Sequence, residues 1–137
     1  MEIVLDASFA AAWVLPEPDS AAAEAVIRQL TGLSQVPSLF WHEARNCLIL
    51  AERHGRIAEG EALINLGRLR RLPIDDAGGG SDTRIVALAL THGLTAYDAA
   101  YLALAAERYL PLATLDRPLA EAAKREMIFV LGPLGTP

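Results

Sequence analysis

Cysteine occurs once, at Cys47, and lysine once, at Lys124. No uncharged apolar run approaches the ~18 residues that a membrane span requires. A single thiol excludes an internal disulfide and suits a reducing cytosol. The three histidines, His42, His54 and His92, are scattered, and no Cys/His spacing suggests zinc. No basic segment precedes an apolar stretch at the start, so no secretory leader and no membrane partner is expected, and the expected location is cytoplasmic. A net charge of −5 counts against loose electrostatic binding to nucleic acid.

What the chain does have is apolar bulk. Of 137 residues, 53% are hydrophobic, enough for one core, and a single domain over 1–137 is expected. Alanine and leucine dominate, a composition that favours helix. EIVLD (2–6) reads as a short buried strand, since it is β-branched and lacks helical spacing. A helix follows at 7–15 and stops at Pro16 and Pro18. Asp19 or Ser20 caps a second helix to residue 30, closed by Gly32. SQVPS (34–38) reads as a minimal strand, with Ser38 as cap of a helix over 39–54. A helix at 58–71 and a short extended piece at 72–75 come next. AGGGSDTR (77–84) reads as a mobile glycine-rich loop before the helix DTRIVALALTHG. Thr95 caps AYDAAYLALAAERY, LPLATLD (110–116) is a strand, RPLAEAAKRE a helix and MIFVL (127–131) a last strand before a Gly/Pro tail. Strands alternate with helices and no Asn-Gly or Asp-Gly hairpin signal occurs. The expected fold class is α/β, with parallel strands joined by right-handed helical crossovers.

Charge is uneven. From Arg45 to Arg71, six arginines face three glutamates, a net +3 that leaves −8 elsewhere. Solvated helix faces explain this, and so does a basic clip for RNA or a partner protein. Trp13 and Trp41 read as core aromatics.

The acids carry more information. Asp6 and Asp116 each end an apolar strand. Glu43 falls in the opening turns of the helix after the second strand, and Asp98 in the first turn of the helix capped by Thr95. In a parallel sheet all strand carboxyl ends share one side, where ligand sites form, so four acids distant in sequence would meet on one rim. Gathered carboxylates repel and raise one another's pKa unless a cation offsets them. Mg²⁺ and Mn²⁺ prefer oxygen ligands, activate water and stabilise charge on a phosphate. Each acid also has a simpler reading. Asp6 and Asp116 suit N-caps, Thr95 to Asp98 resembles a capping box, and Glu43 complements a helix dipole.

Four segments, IVLDASFAAAWVLPE, PSLFWHEARNCLILA, LTAYDAAYLALA and LATLDRPLAEAAKRE, stand in that order. Together they resemble the motif blocks of the PIN-domain family, and within it the VapC-type toxin ribonucleases of bacterial toxin–antitoxin modules. The likeness runs from Glu2 to about Val130. It implies a PIN-like three-layer sandwich with a central parallel sheet of about five strands flanked by helices. It implies a Mg²⁺- or Mn²⁺-dependent ribonuclease that hydrolyses RNA phosphodiesters, with Asp6, Glu43, Asp98 and Asp116 as the catalytic, metal-binding acids. By the same likeness Ser8 and Thr114 match small hydroxyl positions that support a metal ligand or a water, and Asn46, on the Glu43 face, matches a polar position. The partners implied are RNA, a cognate antitoxin and a second copy in a homodimer. Arg45, Arg53 and Arg117 are candidate contacts to the RNA backbone, and the apolar stripes of 39–54 and 58–71 offer a groove for an antitoxin helix or a dimer contact.

Three other readings stand beside this one. A haloacid-dehalogenase-like phosphotransferase needs an aspartate two residues after Asp6, and Ser8 is there. A receiver-like module needs a lysine after a late strand, and Lys124 lies in a helix. A PIN fold that only binds, within an antitoxin or repressor complex, remains open.

Overall fold

The computed structural model describes residues 1–135; the last two residues of the expected Gly/Pro tail lie outside them. Five strands form one parallel sheet: β1 (Ile3–Leu5), β2 (Ser34–Val36), β3 (Ile74–Asp76), β4 (Leu112–Ala113) and β5 (Val130–Leu131). Seven helices flank it: α1 (Ala7–Val14), α2 (Ser20–Ile27), α3 (Phe40–Arg53), α4 (Glu61–Arg70), α5 (Asp82–His92), α6 (Ala96–Arg108) and α7 (Arg117–Arg125).

The spatial order is β3-β2-β1-β4-β5. The chain starts in the middle, winds outward through β2 and β3, then returns to the other side of β1. Contacts among helices fall into two groups, α1 to α4 and α5 to α7, one for each face of the sheet. That makes three layers, as expected. It also places the reversal of strand order between β1 and β4, where an α/β sheet opens a crevice at its carboxyl edge.

Ile3, Val4 and Leu5 are fully buried, as a central strand covered on both faces must be. Phe9, Phe40, Tyr101, Leu102 and Leu119 close the core around them. The flank at β3 is thinner. Asp75 and Asp76 are exposed, and α5 buries none of its residues. Trp13 and Trp41 are only partly buried; their rings carry the guanidiniums of Arg68 and Arg70, at 5.0 and 3.6 Å from the ring centroids. No single helix among the described residues is long and apolar enough to cross a membrane, although α5 and α6 would pass as a pair bent by 113°.

Several boundaries differ from the sequence expectation. β4 and β5 are two residues each, and Met127, where the last strand was expected to begin, is left-handed at φ +62°. α2 stops at Ile27, short of Gly32, and Asp19 makes no side-chain cap bond. α4 starts at Glu61 because Gly60 adopts φ +87°, which only glycine takes without strain. Ser38 does not cap α3: Leu39 occupies the cap position, and the Ser38 hydroxyl donates to Asp76 Oδ1 at 3.0 Å, tying β2 to β3.

Candidate functional site

Asp6 leaves β1 and occupies the N-cap position of α1, yet its side chain makes no capping bond. The carboxylate turns into the crevice instead and is 4% exposed. Its Oδ2 accepts two hydroxyls, from Ser8 at 2.7 Å and Thr114 at 2.6 Å. Both hydroxyls are aimed by the β4–α7 loop: Ser8 Oγ accepts the Leu115 N–H at 3.1 Å, and Thr114 Oγ1 the Asp116 N–H at 3.0 Å. Each hydroxyl therefore has its hydrogen committed to Asp6. Ser8 and Thr114, matched by the family resemblance, thus both hydrogen-bond Asp6.

The other three acids reach the same crevice from different elements. Glu43, in the first turn of α3, is half-buried, and its Oε1 accepts the Tyr101 hydroxyl at 2.7 Å. Asp98 lies in the first turn of α6, whose cap Thr95 accepts the Asp98 N–H at 3.1 Å. Asp116, beyond the short β4, caps α7 by accepting the Leu119 N–H on Oδ2 at 3.2 Å. The simple capping reading thus holds for Asp116 and fails for Asp6.

The acids feel one another. Burial pushes Asp6 up to about 6 against the hydroxyl bonds that lower it, and the charges of Glu43 and Asp116 push the same way. Asp98 is likewise pushed up to about 6, by desolvation and then by Asp116 and Asp6. Glu43 is raised by desolvation and by Asp98, partly offset by the Tyr101 bond. Burial also raises the Cys47 thiol, on the next turn of α3, with Glu43 and Asp6 adding to it. Every acid in the set is therefore coupled to at least two others.

Such a set fits a hard, oxygen-seeking cation. Among the described residues, however, no three acids, histidines or cysteines stand close enough together to cage an ion unaided. An ion held here would keep much of its water, which is the habit of Mg²⁺.

Asn46 is exposed one turn beyond Glu43 and adds no hydrogen bond to the cluster. Arg45 and Arg53 are exposed on α3, with Arg45 near His42 at 3.4 Å. Arg117 stands beside Asp116 and lines a hollow of about 550 Å³ with Leu115 and Lys124. A second hollow of about 530 Å³, between α1 and α3, shares Leu115 and Asp19 with the first and includes Ser8 and Cys47. The two hollows meet at Leu115 and Asp19, and neither is lined by any of the four acids. Tyr101 was missed from sequence; its one signal was a tyrosine three residues after Asp98, on the same helical face.

Known proteins share this fold. The family model described as PIN domain matches residues 3–125. Ribonuclease VapC3 of Pyrobaculum aerophilum is 39% identical over 125 residues, which cover 88% of this chain and 94% of that protein. The crystal structure of PAE2754 from the same organism superposes with a TM-score of 0.71 at 26% identity, covering 89% of this chain and 79% of the other. That of Mycobacterium tuberculosis VapC20, described as a toxin that cleaves the sarcin-ricin loop, gives a TM-score of 0.65 at 13% identity, covering 88% and 94%, a likeness of fold.

Proposed function

The chain belongs to the PIN-domain family, and on that premise we propose that it is a Mg²⁺- or Mn²⁺-dependent endoribonuclease, the cytoplasmic toxin of a type II toxin–antitoxin pair. The observation that carries the reading is Asp6. An aspartate at a helix N-cap position gains stability by capping. This one forgoes the cap, sits buried among other acids and is gripped by two hydroxyls on one oxygen. Such an arrangement costs the fold stability and makes sense as a site for a cation.

Asp6, Glu43, Asp98 and Asp116 hold the ion, partly through water. When bound, the ion supplies Lewis acidity and neutralises charge that builds on the phosphate. The chain's own residues do the rest. Ser8 and Thr114 keep Asp6 ionised and oriented. Asp98 and Asp116, less buried than Asp6, face the open crevice where a phosphodiester approaches. Arg117 makes no ion pair within the described residues and is placed to bind a neighbouring phosphate. No side chain is needed as a covalent nucleophile. Without the ion the acids repel RNA, so cleavage requires the divalent cation.

The antitoxin has a place to dock in the hollow of about 310 Å³ between α3 and α4, floored by Leu48 and Leu66 and edged by Arg45. Val86 and Leu90, 54% and 80% exposed on α5, suit a contact with a second copy.

The test is cleavage of an RNA panel by purified protein freed of partners, with and without Mn²⁺ or Mg²⁺, beside Asp6→Asn and Asp98→Asn. Cleavage should need the ion and fall at least ~100-fold in both folded variants. Equal cutting by all three proteins would trace the activity to a contaminant. Binding of Mn²⁺ without any cleavage would leave a PIN fold that serves only as a binding module.

A further inference from the structure

We infer that Tyr101 is a positioning residue for the acidic site: its hydroxyl holds one oxygen of Glu43, so that the glutamate presents only the other oxygen to a cation. The inference rests on the proposed metal site and adds to it a residue from outside the acidic set.

Tyr101 is fully buried on α6, one turn after Asp98. Its hydroxyl donates to Glu43 Oε1 at 2.7 Å across 58 positions of sequence. The two residues belong to different helical layers, so the bond crosses the carboxyl edge of the sheet. One hydroxyl thus ties the helix that carries Asp98 to the helix that carries Glu43.

A buried phenol has to place its O–H on an acceptor. Here the acceptor is a carboxylate on a mobile three-torsion side chain, whose freedom that bond removes. The same pattern recurs around the site. Asp6 has Oδ2 taken by Ser8 and Thr114, and Asp116 has Oδ2 taken by the Leu119 N–H. Asp6 and Glu43 therefore each have one oxygen engaged by the protein and one left for a ligand, while Asp116 also lies within hydrogen-bonding reach of Asp98. Single-oxygen donors with room for water suit a small octahedral ion; Ca²⁺ takes more oxygens, often two from one carboxylate. Tyr101 accordingly favours Mn²⁺ and Mg²⁺ over Ca²⁺ by denying Glu43 its second oxygen.

Tyr101→Phe keeps the ring and deletes only the hydroxyl. The experiment is calorimetric titration of the metal-free protein with Mn²⁺ and with Ca²⁺ at fixed pH. It compares wild type, Tyr101→Phe, Glu43→Gln and the double variant, each held well below its melting temperature. Tyr101→Phe should weaken Mn²⁺ binding about tenfold, the usual loss when a metal ligand loses its supporting partner, and weaken Ca²⁺ binding less. It should cost nothing further in the Glu43→Gln background, because Tyr101 acts through Glu43. RNA cleavage by Tyr101→Phe should recover at high Mn²⁺, which a packing defect would not allow. Unchanged Mn²⁺ affinity in Tyr101→Phe, with a loss in Glu43→Gln, would overturn the inference and leave the metal site standing. So would full additivity in the double variant. A wild type that binds no Mn²⁺ would remove both.

Discussion

Asp6 shows most directly what one residue gives up for the site. Its carboxyl has an ordinary value of 3.8 and sits at about 6 in the folded protein, chiefly because burial disfavours the charge. At neutral pH the metal-free fold carries that charge at a cost of about 2–3 kcal/mol. Asparagine can accept the same two hydroxyls without the charge. Asp6→Asn should therefore melt later than wild type at pH 7 without metal, and show no such gain at pH 4, where Asp6 is protonated. Thermal melts at both pH values check this, and a variant less stable at pH 7 would show that the charge is not strained. The position of Asp6 was legible in the sequence, because an aspartate that ends an apolar strand stands out. Its hydroxyl partner Thr114, 108 positions away, was found only through a family likeness. Tyr101 was not found at all, since nothing in a single sequence pairs it with Glu43. Asn46 went the other way: helical spacing put it beside Glu43, but that stretch of the face looks to solvent.

At the scale of elements, the end of α7 separates two roles that sequence alone left joined. Asp116 caps the helix and also belongs to the coupled acids. Asparagine is as good an N-cap as aspartate, whereas alanine is a poor one. Asp116→Asn should keep wild-type stability and lose metal-dependent cleavage. Asp116→Ala should lose cleavage and about 1 kcal/mol of stability as well. Denaturant melts beside cleavage assays on both variants decide the point; retained cleavage in Asp116→Asn would confine the residue to capping. Thr95 and Asp116 were readable as caps because a polar residue there precedes a clear apolar periodicity. Ser38 carried the same local signal and was drawn off by Asp76 from a neighbouring strand. Strand lengths were overestimated for a related reason. LPLATLD and MIFVL look extended throughout, yet only the residues that meet a partner strand pair.

Over the whole molecule, alternation of strands and helices was enough to give a parallel sheet, while the strand order was open, because it depends on which way each crossover turns. That order is what brings Asp6 and Asp116 to one crevice, and the acids then act as a single unit with a single pH response. Asp6 and Asp98 both have folded values near 6. A carboxyl raised on folding binds more protons in the folded than in the unfolded state, so its contribution to stability is full below about pH 4 and is lost as pH rises through about 6. Metal-free protein should therefore lose stability over that interval relative to the Asp6→Asn variant, in which one of the two raised groups is absent. Mn²⁺ binds the ionised site and should reverse the trend, with no effect at pH 4 and about 2.7 kcal/mol of stabilisation at pH 7 when present at a hundred times its Kd. High NaCl should reproduce little of this, because the groups are partly or fully buried and monovalent screening is weak there. Chemical denaturation from pH 4 to 8, with and without Mn²⁺, measures both effects. Stability that climbs with pH in the metal-free protein and ignores Mn²⁺ would mean that the four acids rest comfortably without an ion, and the nuclease reading would lose its physical basis.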